Sequence, residues 1–578
     1  MGGVRGNWEI GDWRLEIGAW NDARMTERIS RREWGIAAGL ALAVTLALQL
    51  PYALGYWTAR VGTEYSGLLV NLSDVTYYVA IQLGLQGEWL YRIRFTAEPH
   101  AGAFLYTFYL ALGYLARVLE MNVETMWHAS RGVLSFLMFL GVYGFSAYFI
   151  DRSHWRRVAF ALALLGAGFD LFALPFDAAD PTSGVPLDLR MPEAHLFFSA
   201  LTYPHYSAAI LCLLIVFWCG LRGLTETLSM RAWILLAVGG ALANVGIVLV
   251  YPFLIFLTAG VTGVFYLSLT LRAQKILWRD GVWLAAFFLP ALPLLLYYQY
   301  TLATNAVIRL WNEQVLTYSP NALHYLLTYG LYLLLALWNL RDARFGDDAQ
   351  APRRMFLWIW LGVVAVLLYA PLNAQRRFVE GAQIPLAILA TIGLRETALP
   401  RIRAARWFQK LAQRPGYSVA GLQRLLVILF VAVAALASFF VYARAIATNV
   451  LLQPYPFFRP QGELAAMDWL RANAGREDLV FASYYTGAWL PYRAETRAYI
   501  GQYYETIHFF EKFRVVDDFF DASANNATRQ RVLNEIGAAY VFYGPAERAI
   551  GTFDPARLEF LERVYTNADA TIYKISVR

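Results

Sequence analysis

Residues 95–106 read F-T-A-E-P-H-A-G-A-F-L-Y and set Glu98, Pro99 and His100 at the mouth of an apolar run that continues to Leu119. Twenty-four residues before Glu98, Asp74 stands among aromatics in L-S-D-V-T-Y-Y. Whether 103–119 crosses a membrane decides how the chain is threaded, because every later loop changes sides with it. The chain has 578 residues, 58% of them apolar and 16% charged, with 19 Trp, 36 Tyr and 37 Phe. Several segments exceed the ~20 residues needed to cross a bilayer core. This composition excludes a soluble protein and indicates a polytopic membrane protein.

Apolar runs lie near 34–56, 103–119, 128–150, 157–175, 203–221, 232–250, 252–271, 281–299, 321–340, 355–372, 380–397 and 424–443. If 103–119 spans, R-S-H-W-R-R (152–157) falls outside and every later basic loop inverts. If it lies along the surface, eleven helices remain, and the cytoplasmic segments hold 25 Lys and Arg against 9 in the outer loops. Short loops rich in Lys and Arg stay inside. The expectation is therefore about eleven transmembrane helices with 103–119 juxtamembrane, and a short spanning helix is the alternative. Residues 75–85 are too short to span and carry apolar positions at helical spacing, which suits a second interfacial helix in the same outer loop. The polar residues 1–33 contain no apolar h-region, so they are expected as a cytoplasmic segment ahead of a retained first helix. Cys212 and Cys219, seven apart in one apolar run, read as packing residues.

Near residue 446 the composition changes, after 34–445 has supplied the transmembrane region. E-L-A-A-M-D-W-L-R-A-N-A-G has helical periodicity and a glycine stop. V-F-A-S, A-Y-I-G and A-A-Y-V-F-Y-G are short buried-strand candidates, with helical stretches near 505–520 and 527–535. Residues 446–578 are thus expected to form a small α/β domain, extracytoplasmic if eleven helices precede it.

Three places could carry chemistry. Asp74 and Glu98 each start a juxtamembrane helix on the outer side, where a helix N-terminus favours a carboxylate; Asp74 reads equally as an N-cap and Glu98 as a capping acid. Pro99 fits a first helical turn. His100 reads as an interface histidine or a substrate contact, and Tyr78 lies one turn beyond Asp74. The second outer loop, 177–206, sets Glu193, His195 and His205 among aromatics, which suits a sugar or a lipid headgroup but also the headgroup zone of any membrane protein. In A-P-L-N-A-Q-R-R-F-V-E-G-A-Q (370–383), Arg376 and Arg377 oppose the charge bias. Guanidinium groups pair phosphate bidentately; the plainer role is neutralising Glu380 or lipid headgroups.

Together these pieces resemble the GT-C glycosyltransferase superfamily, particularly the bacterial aminoarabinose transferases and protein O-mannosyltransferases. The matching residues are Asp74, Gly87-Glu88-Trp89 and Glu98-Pro99-His100, with G-Q-Y-Y-E-T (501–506) and Y-V-F-Y-G-P (540–545) in the tail. Asp74 has no adjacent second acid, and one proline replaces the usual pair. The resemblance implies transfer of a sugar from a polyprenyl-phosphate donor to a lipid, glycan or protein acceptor at the outer membrane face. It makes Asp74 the catalytic base, with Glu98 assisting, orienting the acceptor or sharing a divalent metal ion with Asp74. Tyr78, His100, Glu193, His205, Arg376 and Arg377 are the substrate contacts it suggests. A transporter or flippase, or a non-catalytic scaffold or sensor, would also be polytopic and aromatic. A transporter would carry ionisable residues at mid-helix, and here the helix centres are nearly free of charge.

Overall fold

The computed structural model describes residues 29–173, 186–338, 340, 350–521 and 525–576. Residues 1–28 of the expected cytoplasmic segment and 177–185 of the expected second outer loop lie outside them. The chain is mostly helical, with a small sheet near its C-terminal end. It opens with α1 (Arg31–Thr58), α2 (Val75–Leu85), α3 (Thr107–Val118) and α4 (Val123–Ala147). Among the described residues six helical stretches are long and apolar enough to cross a membrane: α1, α4, Pro204–Thr225, Met230–Val250, Leu254–Ala273 and Trp278–Thr304. A seventh arises if Val419–Ala434 and Leu436–Leu452, bent by 47°, count as one span. This is a multi-pass membrane protein.

Two compact units divide the chain. The first combines residues 1–46, 131–295 and 317–441. Within it, Pro204–Thr225 packs against Met230–Val250, and Ala322–Leu337 against Gln383–Gly393, a helix whose every residue is buried. Gln383 fastens that helix by accepting from Leu196 N at 2.8 Å and donating to Leu162 O at 3.2 Å. Arg156 is fully buried and donates to Ile150 O at 2.6 Å and to Glu33 at 3.2 and 3.4 Å.

The second unit combines residues 47–130, 296–316 and 442–578. Strands β1 (Thr63–Tyr65) and β2 (Phe458–Pro460) pair antiparallel. The C-terminal sheet holds β3 (Leu479–Phe481), β4 (Arg497–Ala498), β5 (Tyr540–Tyr543), β6 (Leu561–Thr566) and β7 (Thr571–Ile575) in the order β4-β3-β5-β7-β6. The first three strands run parallel and the last two pairings are antiparallel. Helices Phe509–Phe520 and Asn526–Ile536 cover an apolar core of Phe481, Val516, Phe519, Phe520, Leu533 and Val541.

The apolar run at 103–119 forms α3, only 12 residues long. At 1.5 Å per residue it extends about 18 Å, short of a bilayer core of about 30 Å. It lies against α2 with backbone touching backbone. A Cβ on Gly84 would fall 2.2 Å from Leu110 O, and one on Gly113 would fall 2.2 Å from Ile81 O. Tyr77 and Tyr109 stack across the pair with ring centroids 4.5 Å apart, and Tyr114 donates to Gly87 O at 2.6 Å.

One sequence expectation needs correcting. Glu98-Pro99 does not open the helix, which starts at Thr107 behind Tyr106 in the left-handed region at φ 49°. Residues 91–103 instead close into a loop. Tyr91 and Ala103 exchange backbone hydrogen bonds at 2.8 and 2.9 Å, and His100 staples its interior. The local polar side chains compete with the helix for the backbone and win.

The glycine crossing makes a prediction. Gly84→Ala or Gly113→Ala pushes a methyl into main chain that cannot rotate away, so each should cost at least the ~1–3 kcal/mol typical of overpacking. Gly39→Ala in α1 meets nothing within 4 Å, and by helix propensity it should be neutral or stabilising. Thermal unfolding in detergent is the check; equal midpoints for all three variants would contradict the crossing.

Candidate functional site

Each unit holds part of the expected residues. In the second, Asp74 precedes α2 and is buried, but its side chain makes no capping hydrogen bond to the helix. Tyr78 lies four residues on, and residues at that spacing share a helix face. Its ring is fully buried among Trp127, Trp489 and Tyr492, at centroid distances of 5.5, 6.3 and 5.2 Å. The Tyr78 hydroxyl has no hydrogen-bond partner among the described residues.

Glu98 and His100 belong to the closed loop. Lys512 Nζ lies 2.7 Å from Glu98 Oε2 and donates to Thr96 Oγ1 at 3.0 Å, while Thr96 itself donates to Glu98. Burial works against the Glu98 charge, yet Lys512 and these hydrogen bonds hold its carboxyl below the usual range. His100 Nε2 accepts from Ile93 N at 3.1 Å, and its Nδ1 lies 2.9 Å from Glu98 O. Nδ1 is thereby assigned the proton. Burial lowers the His100 pKa, in keeping with a neutral ring. Expected as a substrate contact, His100 has both ring nitrogens committed inside its own loop.

The donor set also bears on a metal ion shared by Asp74 and Glu98. The Glu98 carboxylate is taken up by Lys512 and Thr96. Among the described residues no group of three or more His, Cys, Asp or Glu side chains converges as ligands would. As arranged here, these residues do not fit a resident cation.

The first unit gathers Glu193, His205, Arg376 and Arg377. Arg376 and Arg377 occupy a short 3-10 turn, Gln375–Val379, just before the buried helix Gln383–Gly393. Arg377 donates to Tyr251 Oη at 2.7 Å and lies 5.5 Å from the Tyr251 ring and 5.8 Å from that of Phe253. The His205 ring is 5.4 Å from Tyr251 and 4.4 Å from Tyr206. Arg376 Nε reaches Glu193 Oε1 only at 3.9 Å, beyond hydrogen-bond range, and that Nε has no hydrogen-bond partner among the described residues. Glu380 is fully buried and accepts from Ser199 Oγ at 3.3 Å. His195 pairs with Asp188 at 2.9 Å, and His324 with Asp170 at 3.0 Å. Asp170 and Asp188 also accept from Leu187 N at 2.6 Å and Leu171 N at 3.2 Å, tying the two segments together.

Sequence reasoning missed Tyr251, Lys512, Asp170, Asp188 and Glu505. No local pattern marks them, although Glu505 lies in the quoted G-Q-Y-Y-E-T. Glu505 is fully buried and accepts from Tyr91 Oη at 2.6 Å.

Residues 372–577 match a family model described as a family of unknown function, DUF6541. No curated protein matches the sequence. Among solved structures the chain is similar to apo ArnT from Cupriavidus metallidurans, with 11% identity, a TM-score of 0.51, and 92% of this chain and 97% of that one covered. The same enzyme bound to undecaprenyl phosphate matches with 12% identity, a TM-score of 0.50 and coverages of 94% and 98%. The apo oligosaccharyltransferase of Archaeoglobus fulgidus matches with 13% identity, a TM-score of 0.50 and coverages of 89% and 70%. The GT-C resemblance read from the sequence is thus shown as a likeness of fold.

Glu505 gives the second unit a pH dependence. Burial pushes its carboxyl from 4.5 up to about 7, against the opposing Tyr91 hydrogen bond. The folded chain keeps the proton after the unfolded chain has lost it, so stability should fall as pH rises from about 4.5 to 7 and then level off. The full loss is about 3 kcal/mol. Gln can still accept from Tyr91 but cannot ionise. Unfolding midpoints of the wild type and Glu505→Gln should therefore diverge across that window, and parallel pH profiles would refute the assignment.

Proposed function

We propose that the chain is an inverting glycosyltransferase that moves a sugar from a polyprenyl-phosphate donor to a hydroxyl-bearing acceptor at the extracytoplasmic face of the plasma membrane. The observation that carries this is the adjacent Arg376–Arg377 pair, with Arg377 against Tyr251 and Phe253 and Arg376 Nε without a hydrogen-bond partner among the described residues. The chain shares its fold with ArnT, whose structure is described bound to undecaprenyl phosphate. Arginine is suited to a lipid phosphate because its planar fork meets two oxygens at once.

In the proposed reaction the acceptor oxygen attacks the anomeric carbon from the face opposite the phosphate. The bond from that carbon to the phosphate oxygen breaks, and the electron pair leaves with the phosphate. Arg376 and Arg377 stabilise the charge that grows there. The acceptor's proton passes to the Asp74 carboxylate, a general-base role worth roughly 10²–10⁴-fold. Glu98, already neutralised by Lys512, is assigned to orientation through its loop. Glu193 and His205 complete the substrate contacts around the arginines.

The threading belongs to the same proposal. Six or seven apolar spans support the multi-pass part of this threading, and the eleven-helix count rests on the distribution of Lys and Arg in the loops. The N-terminal segment is then inside, 34–445 forms the membrane domain, and 446–578 lies outside with the reaction.

Incubating purified protein with a panel of polyprenyl-phosphate sugars and an acceptor mixture should release polyprenyl phosphate. Asp74→Asn, which conserves size, should stay folded and lose about 10²-fold or more in turnover. Arg376→Ala and Arg377→Ala should weaken apparent donor affinity, with Lys restoring only part of it. A folded Asp74→Asn protein with wild-type turnover removes Asp74 from the mechanism, and unchanged donor affinity in both Ala variants removes the arginines.

Orientation is tested separately. With Cys212 and Cys219 replaced, single cysteines at Ser153 and Glu535 are probed in intact cells with an impermeant thiol reagent. Only the Glu535 site should label; the opposite pattern rejects this threading.

A further inference from the structure

The C-terminal segment keeps its large apolar side chains out of contact with solvent, with one exception. Among its described residues from 453 on, Tyr455, Tyr485, Tyr503, Phe510 and Phe513 are exposed, and no other large apolar or aromatic side chain is. Rings exposed singly are ordinary on a protein surface, but these form one ridge. Between ring centroids, Tyr455 lies 5.9 Å from Tyr485, Tyr485 lies 5.2 Å from Tyr484, and Tyr484 lies 5.4 Å from Phe509. Phe509 in turn lies 4.8, 5.6 and 5.8 Å from Tyr503, Phe510 and Phe513. The crest of the ridge is Phe510, 66% exposed.

Helix Phe509–Phe520 therefore has two apolar faces. Lys512, Val516, Phe519 and Phe520 are its buried face. Phe510 and Phe513, one turn apart, make a second face that the domain's own core does not use. An apolar face left outside the core marks an interaction surface. Its place in the second unit says with what. Tyr455 follows the helix Leu436–Leu452 by three residues. Gln314 donates to Thr506 O at 3.2 Å and Tyr504 O at 3.3 Å and accepts from His508 N at 3.0 Å. It ends the helix Ala306–Gln314, about 14 Å long, which Asn305 alone separates from the apolar span Trp278–Thr304. Asn305 Nδ2 also donates at 3.0 Å to Ala101 O, in the loop whose Glu98 pairs with Lys512. Near its end that span carries Tyr297, Tyr298 and Tyr300, the residue type that collects where a membrane meets water.

The ridge is thus tied to the ends of two membrane-crossing stretches, at Tyr455 and through Gln314. We propose that it is a membrane-docking surface, with Phe510 and Phe513 seated in the headgroup layer of the bilayer beside those ends. Rings suit that depth, because their faces leave water while tyrosine hydroxyls stay wet. Glu511 and Arg514, both exposed, flank the crest and keep their charged tips at the headgroups. Lys512 lies between the two phenylalanines in sequence, so docking also steadies the helix turn that neutralises Glu98. The surface follows from the multi-pass architecture and stands or falls independently of the transferase reading.

The test uses the full-length chain in nanodiscs, with Cys212 and Cys219 replaced. Arg514→Cys, beside the intact rings, carries a fluorophore, and Glu535→Cys carries it in a second preparation. Glu535 is exposed on helix Asn526–Ile536, whose Arg529 donates at 2.8 Å to Phe519 O, at the opposite end of the ridge helix. The label at 514 should lose emission to a nitroxide attached to lipid near the headgroup and be shielded from aqueous iodide. The label at 535 should show the reverse. Phe510→Ser combined with Phe513→Ser removes only exposed rings, so it should keep the unfolding midpoint in detergent yet open the 514 label to iodide. Phe510→Glu alone, which puts a charge on the crest, should do the same. A 514 label quenched by iodide and not by the lipid overturns the docking surface and leaves the ridge to a partner in solution. Lipid quenching that neither variant reduces also overturns it, because the rings then do not make the contact.

Discussion

The loop from Tyr91 to Ala103 has neither helix nor sheet to satisfy its backbone, and a buried peptide group must find a partner. Much of the partner set comes from the far end of the chain. Thr506 Oγ1 donates to Phe95 O at 2.9 Å, Ile507 N donates to Thr96 Oγ1 at 3.2 Å, and Ala498 N donates to Arg94 O at 2.9 Å. Lys512 then closes on Glu98, and Tyr91 on Glu505. Residues 47–130 and 442–578 accordingly fall in one compact unit although some three hundred residues separate them in sequence. The C-terminal segment completes this loop, so a carboxylate inside an oily stretch can keep its charge.

That dependence also explains what the sequence could not disclose. Hydrophobic periodicity reports an element's own buried face, and helices formed at each of the twelve apolar runs. Strands and helices of the tail were legible for the same reason, because V-F-A-S and A-A-Y-V-F-Y-G state their burial locally. The start of α3 was not. Proline at 99 permits a helix there, but the competing acceptors and donors include Lys512 and Ile507, more than four hundred residues away. The close approach of α2 and α3 was likewise hidden, since Gly84 and Gly113 acquire meaning only when opposed.

Among the site residues, legibility followed charge anomaly. Arg376 and Arg377 stood out because, on the threading expected from charge, they oppose the bias of the loops, and the structure brings both together with Glu193 and His205 in one unit. Glu98 and His100 stood out through their place in an apolar context, yet their polar atoms are spent on the loop itself. Asp188 and Asp170 gave no signal because a carboxylate paired with histidine across a fold looks, in sequence, like any loop acid.

Buried or half-buried arginines are common enough in this chain that position alone does not make a ligand site. Arg156 shows the structural kind: no exposure, a carbonyl at 2.6 Å and a carboxylate at 3.2 Å from its guanidinium. Arg459 is another, 2.6 Å from both Glu463 Oε1 and Tyr485 O and flanked by Tyr455 and Trp489. Removing a partner from such a pair leaves a buried charge unmatched, at a cost of several kcal/mol. Arg376 is built differently. Its side chain stays 24% exposed and its nearest carboxylate is held at 3.9 Å, too far to satisfy it. A guanidinium held near an acid without a hydrogen bond to it is the arrangement that the proposed phosphate contact uses. What sets Arg376 apart from Arg156 and Arg459 is the distance to its acid, 3.9 Å against 3.2 and 2.6 Å, and the proposed phosphate role draws on that difference.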